Sequence, residues 1–187
     1  MVIDKIHISN LKGESHVVIY KDEGLTNMPA SERSDRQRAI VSEVLAKEWD
    51  SSSVTLIHDS EGAPSISEFP EMNISISHSG NWVAVQWSEE LAVGIDIQVI
   101  KDGLYKGRYY FVNADEEVKH EMNDSNLLII WSAKEALYKL KKGAVSRYKE
   151  AITIVEIGEE GILAEVDAEE INCGYIKNDE YILVYAD

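Results

Sequence analysis

Leu127-Leu128-Ile129-Ile130-Trp131-Ser132-Ala133-Lys134-Glu135-Ala136-Leu137-Tyr138-Lys139-Leu140-Lys141 is the most strongly patterned stretch of the chain. Its apolar residues recur at three- and four-residue intervals, which predicts a helix with one buried face. Gly143 follows as the stop signal. Beyond it the pattern changes: Ala151 to Ile157, Ile162 to Val166, Asn172 to Lys177 and Tyr181 to Tyr185 read as strands. A long helix followed by short strands separated by turns indicates an α+β fold with antiparallel sheets.

Working back toward the N-terminus, Leu91 to Ile100 reads as an apolar strand interrupted by Gly94, Asp96 and Gln98. A polar tract follows, with a short helix over Asn113 to Met122 that opens on the capping-like Asn-Ala-Asp-Glu. Earlier still, Ile3 to Ile8 and Val17 to Tyr20 read as strands. Ser31 to Trp49 carries Ile40, Val41, Val44 and Leu45 at helical spacing, with Ser31, Glu32 and Ser34 as candidate caps. Val54 to His58 is a strand and Asp59 to Pro64 a turn. Asn73 to Ser77 and Trp82 to Trp87 form a strand pair, with His78-Ser79-Gly80-Asn81 as its connection. The order of elements repeats, so we expect two halves, residues 1–90 and 91–187.

The 187 residues suffice for a real core. No run approaches the roughly 20 apolar residues that span a bilayer, and Met1 to Asn10 lacks the charged and apolar regions of a secretory signal. The single cysteine, Cys173, has no intramolecular disulfide partner, which suits a reducing cytoplasm. A formal net charge of -16 repels nucleic-acid phosphates and anionic lipid head groups, so neither is expected as a partner. Lys134, Lys139, Lys141, Lys142, Arg147 and Lys149, with only Glu135 among them, form a basic island. It reads either as a holder of a small polyanion or as lysines offsetting a helix macrodipole.

Three pieces carry chemistry. In Val93-Gly94-Ile95-Asp96-Ile97-Gln98, an aspartate inside an apolar strand needs a partner or a metal. Gly94 permits close approach of a backbone or a ligand. Strand periodicity puts Asp96 and Gln98 on one face, where their oxygens can meet one cation. The plainer alternative is an aspartate facing solvent at a strand end. In the helix, Glu135 and Lys139 are an i,i+4 pair beside Lys134, which periodicity alone reads as a surface ion pair. In Ser75-Ile76-Ser77-His78-Ser79-Gly80, serines flanking a histidine converge on one turn and suit a phosphate; a structural histidine is the other reading. His7, His16, His58 and His120 lack such company and receive no role.

Together and in this order, these pieces resemble the 4′-phosphopantetheinyl transferase superfamily, in its larger, pseudodimeric, surfactin-synthetase-activating type. The matching segments are Ser77-His78-Ser79, Gly94-Ile95-Asp96 and Trp131-Ser132-Ala133-Lys134-Glu135-Ala136-Leu137-Tyr138-Lys139. Phe111-Val112-Asn113-Ala114-Asp115-Glu116-Glu117 resembles the family's Phe-x-x-x-Glu segment. The resemblance covers about residues 31 to 143 in motifs. It implies two pseudo-symmetric halves, each an antiparallel sheet packed with helices, with a coenzyme A and Mg²⁺ site between them.

The implied activity is transfer of 4′-phosphopantetheine from coenzyme A to a serine of an apo acyl or peptidyl carrier protein, with 3′,5′-ADP leaving. A non-catalytic homologue that binds coenzyme A or a nucleotide is the alternative. Carried over by residue, Asp96 and Glu135 bind Mg²⁺ and Glu135 deprotonates the carrier serine. Lys134 and Lys139 act on the pyrophosphate, and Ser77 and His78 hold the 3′-phosphate. Arg38 supplies a further cationic contact. The chain departs from the family pattern at Gln98, where a second acid is usual, and at Gly62-Ala63-Pro64, where the family's turn reads Gly-Lys-Pro. Gln98 is thus a neutral candidate for a third metal ligand. The resemblance further implies a monomer, expected in the cytoplasm, and Tyr105, Tyr109, Tyr110 and Phe111 in the second-half loop read either as a carrier-binding surface or as core packing.

Overall fold

Strand β1 (Val2–Asn10) doubles back on β2 (Gly13–Lys21) in an antiparallel hairpin. A computed structural model of the chain describes residues 2–10, 13–60 and 62–187, so Glu61 of the expected turn lies outside the described residues. Helix α1 (Ala30–Glu48) follows, then a short ribbon of β3 (Leu56–His58) and β4 (Pro64–Ile66), and the hairpin β5 (Asn73–Ser79) and β6 (Trp82–Ser88). These elements belong to the first of two compact units, Met1–Val93. Its four-stranded sheet has the order β1-β2-β6-β5, antiparallel throughout.

Ile40, Val41, Val44 and Leu45 of α1 are all buried, as their spacing predicts, against Val18, Val83, Val85 and Trp87 of the sheet. Burial of an aliphatic stripe on a sheet face is what holds such a layer pair together. The expected caps are different: the helix starts at Ala30 behind Pro29 and no side chain caps it. Ser31 lies inside the first turn, where Glu32 complements the macrodipole instead. The β5–β6 connection is also tighter than expected. Pairing continues to Ser79 opposite Trp82, so His78 is a strand residue opposite Val83 and only Gly80 and Asn81 make the turn. Gly80 has φ 58, a conformation that favours glycine.

The second unit, Gly94–Asp187, opens on β7 (Gly94–Val99). A 3₁₀ segment over Leu104–Tyr110, helix α2 (Ala114–Lys119), helix α3 (Asp124–Leu140) and the single turn α4 (Tyr148–Ala151) come next. Strands β8 (Ile152–Ile157), β9 (Ile162–Val166), β10 (Glu169–Lys177) and β11 (Tyr181–Ala186) complete a five-stranded antiparallel sheet of order β7-β11-β10-β9-β8. The fold class is therefore α+β, with two antiparallel sheets packed with helices. Leu127, Ile130, Ala133 and Leu137 of α3 enter one core with Ile152, Ile154, Ala164 and Val184 of the strands. Among the described residues, no helix is long and apolar enough to cross a membrane.

Helix α3 begins three residues before its apolar stripe because Asn123 caps it, accepting from the Asn126 N–H at 2.9 Å. Its end is a Schellman motif. The Gly143 N–H bonds the Tyr138 carbonyl at 3.0 Å and the Lys142 N–H the Lys139 carbonyl at 2.9 Å. The chain reverses through Lys142 (φ 51) as well as Gly143 (φ 75).

Candidate functional site

Strand β7 and helix α3 meet at Gly94. A Cβ on that residue would collide with the Ala136 carbonyl oxygen and stand 2.7 Å from the Leu140 nitrogen. Of the two partners the sequence leaves open for Gly94, it is a backbone that approaches. This close seam brings the next inward residue of the strand, Asp96, against the helix.

Asp96 is 2% exposed. Its Oδ1 accepts from Lys139 Nζ at 2.9 Å, and its Oδ2 from Ser132 Oγ at 3.1 Å and Gln98 Nε2 at 3.0 Å. Lys139 Nζ also donates to the Ile95 carbonyl at 2.9 Å. A buried carboxylate surrounded by donors avoids the cost of an unpaired charge. The ion pair of Lys139 is thus with Asp96, across the seam. Ser132, Glu135 and Lys139 are spaced i, i+3, i+7, so they share one face of α3. Because Ser132 and Lys139 both touch Asp96, Glu135 stands on the helix face turned to the Asp96 strand. Glu135 Oε1 accepts the Tyr148 hydroxyl at 2.8 Å. Burial, and then the Glu135 carboxylate, hold the Tyr148 hydroxyl far above the usual tyrosine range, so it remains a donor.

Gln98 shares the Asp96 face, as strand periodicity predicts, but the atom it directs at Asp96 is its amide nitrogen. Lys134 lies elsewhere. Its side chain is 0% exposed and pairs with the equally buried Glu116 at 2.9 Å, while donating to the Lys149 carbonyl at 2.9 Å. Glu116 in turn accepts from Ile154 N at 2.7 Å and Asn113 N at 2.8 Å, the latter closing the capping box of α2. Burial lowers the Lys134 pKa, and Glu116 opposes that shift. In this arrangement the ammonium ties α3 to α2.

The first unit collects the other candidates. A cleft of about 520 Å³ is lined by Gln37, Arg38, His58, Gly62, Pro64 and His78, among others. Arg38 and His78 thus face one space, with the Gly62-Ala63-Pro64 turn beside them. Arg38 makes one long ion pair to Asp35, 3.8 Å and well exposed, which holds its charge only loosely. Ser77 does not join them. Alternation along β5 sends Ile76 and His78 to the cleft and Ser77 to the opposite face.

No family model matches the chain. A curated relative is the 4′-phosphopantetheinyl transferase psf-1 of Bacillus pumilus, 32% identical over 93 residues, a match covering 47% of this chain and 40% of the relative. Over those residues the chain is similar to a 4′-phosphopantetheinyl transferase. It spans well under two thirds of that relative's length.

Several residues around this arrangement escape sequence reading. Ser132 sits inside the quoted helix, yet only the seam with β7 gives it a partner. Tyr148 reaches Glu135 from a four-residue helix entered through Arg147 in a left-handed conformation (φ 59), which no pattern announces. His58 ends a three-residue strand and lines the Arg38 cleft, a role that the strand pattern alone does not give it. Half of the basic island is neutralised in place, since Lys134, Lys139 and Lys141 pair with Glu116, Asp96 and Glu169. His120 bonds the Ile154 carbonyl at 2.8 Å, a structural contact. Cys173 is buried and its thiol is pushed up to about 12 by that burial, so it is no nucleophile at neutral pH.

Proposed function

We propose that this chain transfers the 4′-phosphopantetheine arm of coenzyme A to a serine of an apo acyl or peptidyl carrier protein, acting as a cytoplasmic monomer. The observation that carries this reading is the Asp96–Ser132–Lys139 lock, which turns Glu135 of α3 toward the Asp96 strand. The local oxygen donors are the carboxylates of Asp96 and Glu135, a set that fits Mg²⁺, which takes oxygen ligands and retains waters. Asp96 and Glu135 would hold the ion, and it would offset charge on the pyrophosphate oxygens of coenzyme A.

Glu135, oriented by Tyr148, takes the proton of the carrier serine hydroxyl. The serine oxygen attacks the β-phosphorus, a new P–O bond forms, and the bond to 3′,5′-ADP breaks. Lys139 supplies a fixed cation on the same helix face. Lys134 acts only by positioning α3 through Glu116. In the first unit, Arg38 and His78 line the cleft we assign to the 3′-phosphate, with His58 as an added donor. Tyr105, Tyr109 and Tyr110 are exposed and form the apolar surface offered to the carrier, whereas Phe111 is buried in the core.

The test is incubation with Mg²⁺, coenzyme A and apo carrier protein, followed by mass measurement of the carrier. Wild type should add one phosphopantetheine, and Asp96→Asn and Glu135→Gln should each lose transfer. Wild-type rates in both variants would overturn the assignment. A second reading, a homologue that binds coenzyme A without modifying a carrier, is favoured by Gln98 and Ala63. It predicts coenzyme A binding with no change in carrier mass.

A further inference from the structure

We propose that His7, Glu14 and His16 form a binding site for a borderline divalent transition-metal cation, with Zn²⁺ as its simplest occupant, on the β1–β2 hairpin of the first unit. The register places His7 directly opposite His16. Glu14 precedes His16 by two residues and so lies on the same face of β2. One ligand atom from each of the three residues falls within 4.8 Å of the others.

The two imidazoles meet nitrogen to nitrogen at hydrogen-bond distance. His7 Nδ1 and His16 Nδ1 are 3.1 Å apart, with ring centroids at 4.6 Å. Two nitrogens bound at 2.0–2.1 Å to one tetrahedral zinc stand roughly 3.3 Å apart, so this spacing needs little adjustment to chelate. Glu14 Oε2 is 3.7 Å from His7 Nε2. The His7 side chain is 52% exposed and has room to turn either nitrogen toward the ion.

His16 is held in place for the role. Its ring stacks on Trp87 at 5.4 Å and 18°. Beside it opens a cleft of about 620 Å³ lined by Glu14, His16, Glu48, Trp87, Glu89 and Glu90. Lys5 pairs with Glu48 at the margin. The remaining carboxylates make this an attractive place for a cation and provide oxygens for further coordination.

Two imidazoles and one carboxylate select zinc, cobalt, nickel or copper over magnesium or calcium, which prefer all-oxygen sets. The ion would cross-link β1, the edge strand of its sheet, to β2.

The experiment is calorimetric titration of the full chain with ZnCl₂ in excess Mg²⁺, paired with thermal unfolding. One Zn²⁺ per chain should bind and raise the unfolding midpoint. His7→Ala, at an exposed position, should weaken binding about tenfold or more, since loss of a partner behind a ligand already costs 10–100-fold. His16→Asn and Glu14→Gln should do likewise, while Asp96→Asn/Glu135→Gln should leave the Zn²⁺ isotherm unchanged. No uptake of Zn²⁺, an unaltered isotherm in His7→Ala, or its loss in the Asp96/Glu135 double variant would overturn the proposal.

Discussion

Tyr148 donates its hydroxyl hydrogen to Glu135 Oε1 across 2.8 Å. The residue we propose as the base is thereby oriented by a side chain outside the motif, on the far side of the Schellman turn. Tyr148→Phe deletes that one donor and keeps the ring that packs edge-on against Tyr138 at 5.7 Å. A hydrogen bond to a charged group is worth about 1.5–3 kcal/mol, so turnover should fall roughly tenfold or more. The KM for coenzyme A should change little if orientation of Glu135 is what is lost. Steady-state kinetics with an apo carrier measure both; an unchanged turnover would remove Tyr148 from the site.

Lys134 tests whether a motif lysine serves chemistry or architecture. Removing one partner of a fully buried ion pair costs about 3–5 kcal/mol, so Lys134→Met should lower unfolding free energy by that order in urea titration. Lys134→Met/Glu116→Gln should lose less than the sum of the two single variants, because neither charge is then stranded. The pH dependence has a definite sign. Burial lowers the folded-state pKa of Lys134, so the unfolded chain binds this proton more tightly. Its contribution is fully present above the unfolded value, roughly 10.4, and is lost as pH falls through the lowered folded value. The gap in stability between wild type and Lys134→Met should therefore widen with rising pH across that window.

Sequence patterning carries the layer architecture because α1 buries one apolar stripe, because α3 is apolar enough to be buried on most sides, and because the β8–β11 strands are bounded by turn residues. It carried less of the site. Lys134 and Glu135 are neighbours in the same motif, and only tertiary packing decides that one enters the core while the other turns toward Asp96. Gln98 occupies the expected strand face, but which end of its amide meets Asp96 follows from the donors and acceptors around it. The hydroxyl of Ser132 and the phenol of Tyr148 acquire partners, and His58 its place on the cleft, only through elements that are distant in sequence or too short to show a period.

Gly94→Ala probes the seam itself. The atoms its Cβ would strike, Ala136 O and Leu140 N, are helix backbone and have no rotamer to move to. Overpacking of this kind costs about 1–3 kcal/mol and occasionally more, and the upper end is expected here. Relief requires β7 and α3 to separate, which lengthens the Asp96 bonds to Ser132 and Lys139. Loss of transfer should then accompany the loss of stability, measured by urea unfolding and carrier mass in parallel. A fully stable, fully active Gly94→Ala protein would contradict the close packing of β7 on α3.

Gln98→Glu asks whether the neutral residue beside Asp96 limits metal binding. The amide now donates to Asp96 Oδ2 at 3.0 Å; a carboxylate in its place removes that donor and sets a second negative charge against the first. Without a divalent ion, like-charge repulsion should lower the unfolding midpoint. With Mg²⁺ the added oxygen becomes a ligand and the repulsion is relieved, so the Mg²⁺-induced rise in midpoint should exceed that of wild type. The linkage between binding and stability makes the size of that rise a measure of affinity, since a ligand at a hundred times its Kd adds about 2.7 kcal/mol. Thermal unfolding across a Mg²⁺ series reads the effect without any carrier protein. An equal Mg²⁺ response in both proteins would show that position 98 stands outside the metal's reach and that Asp96 and Glu135 serve without it.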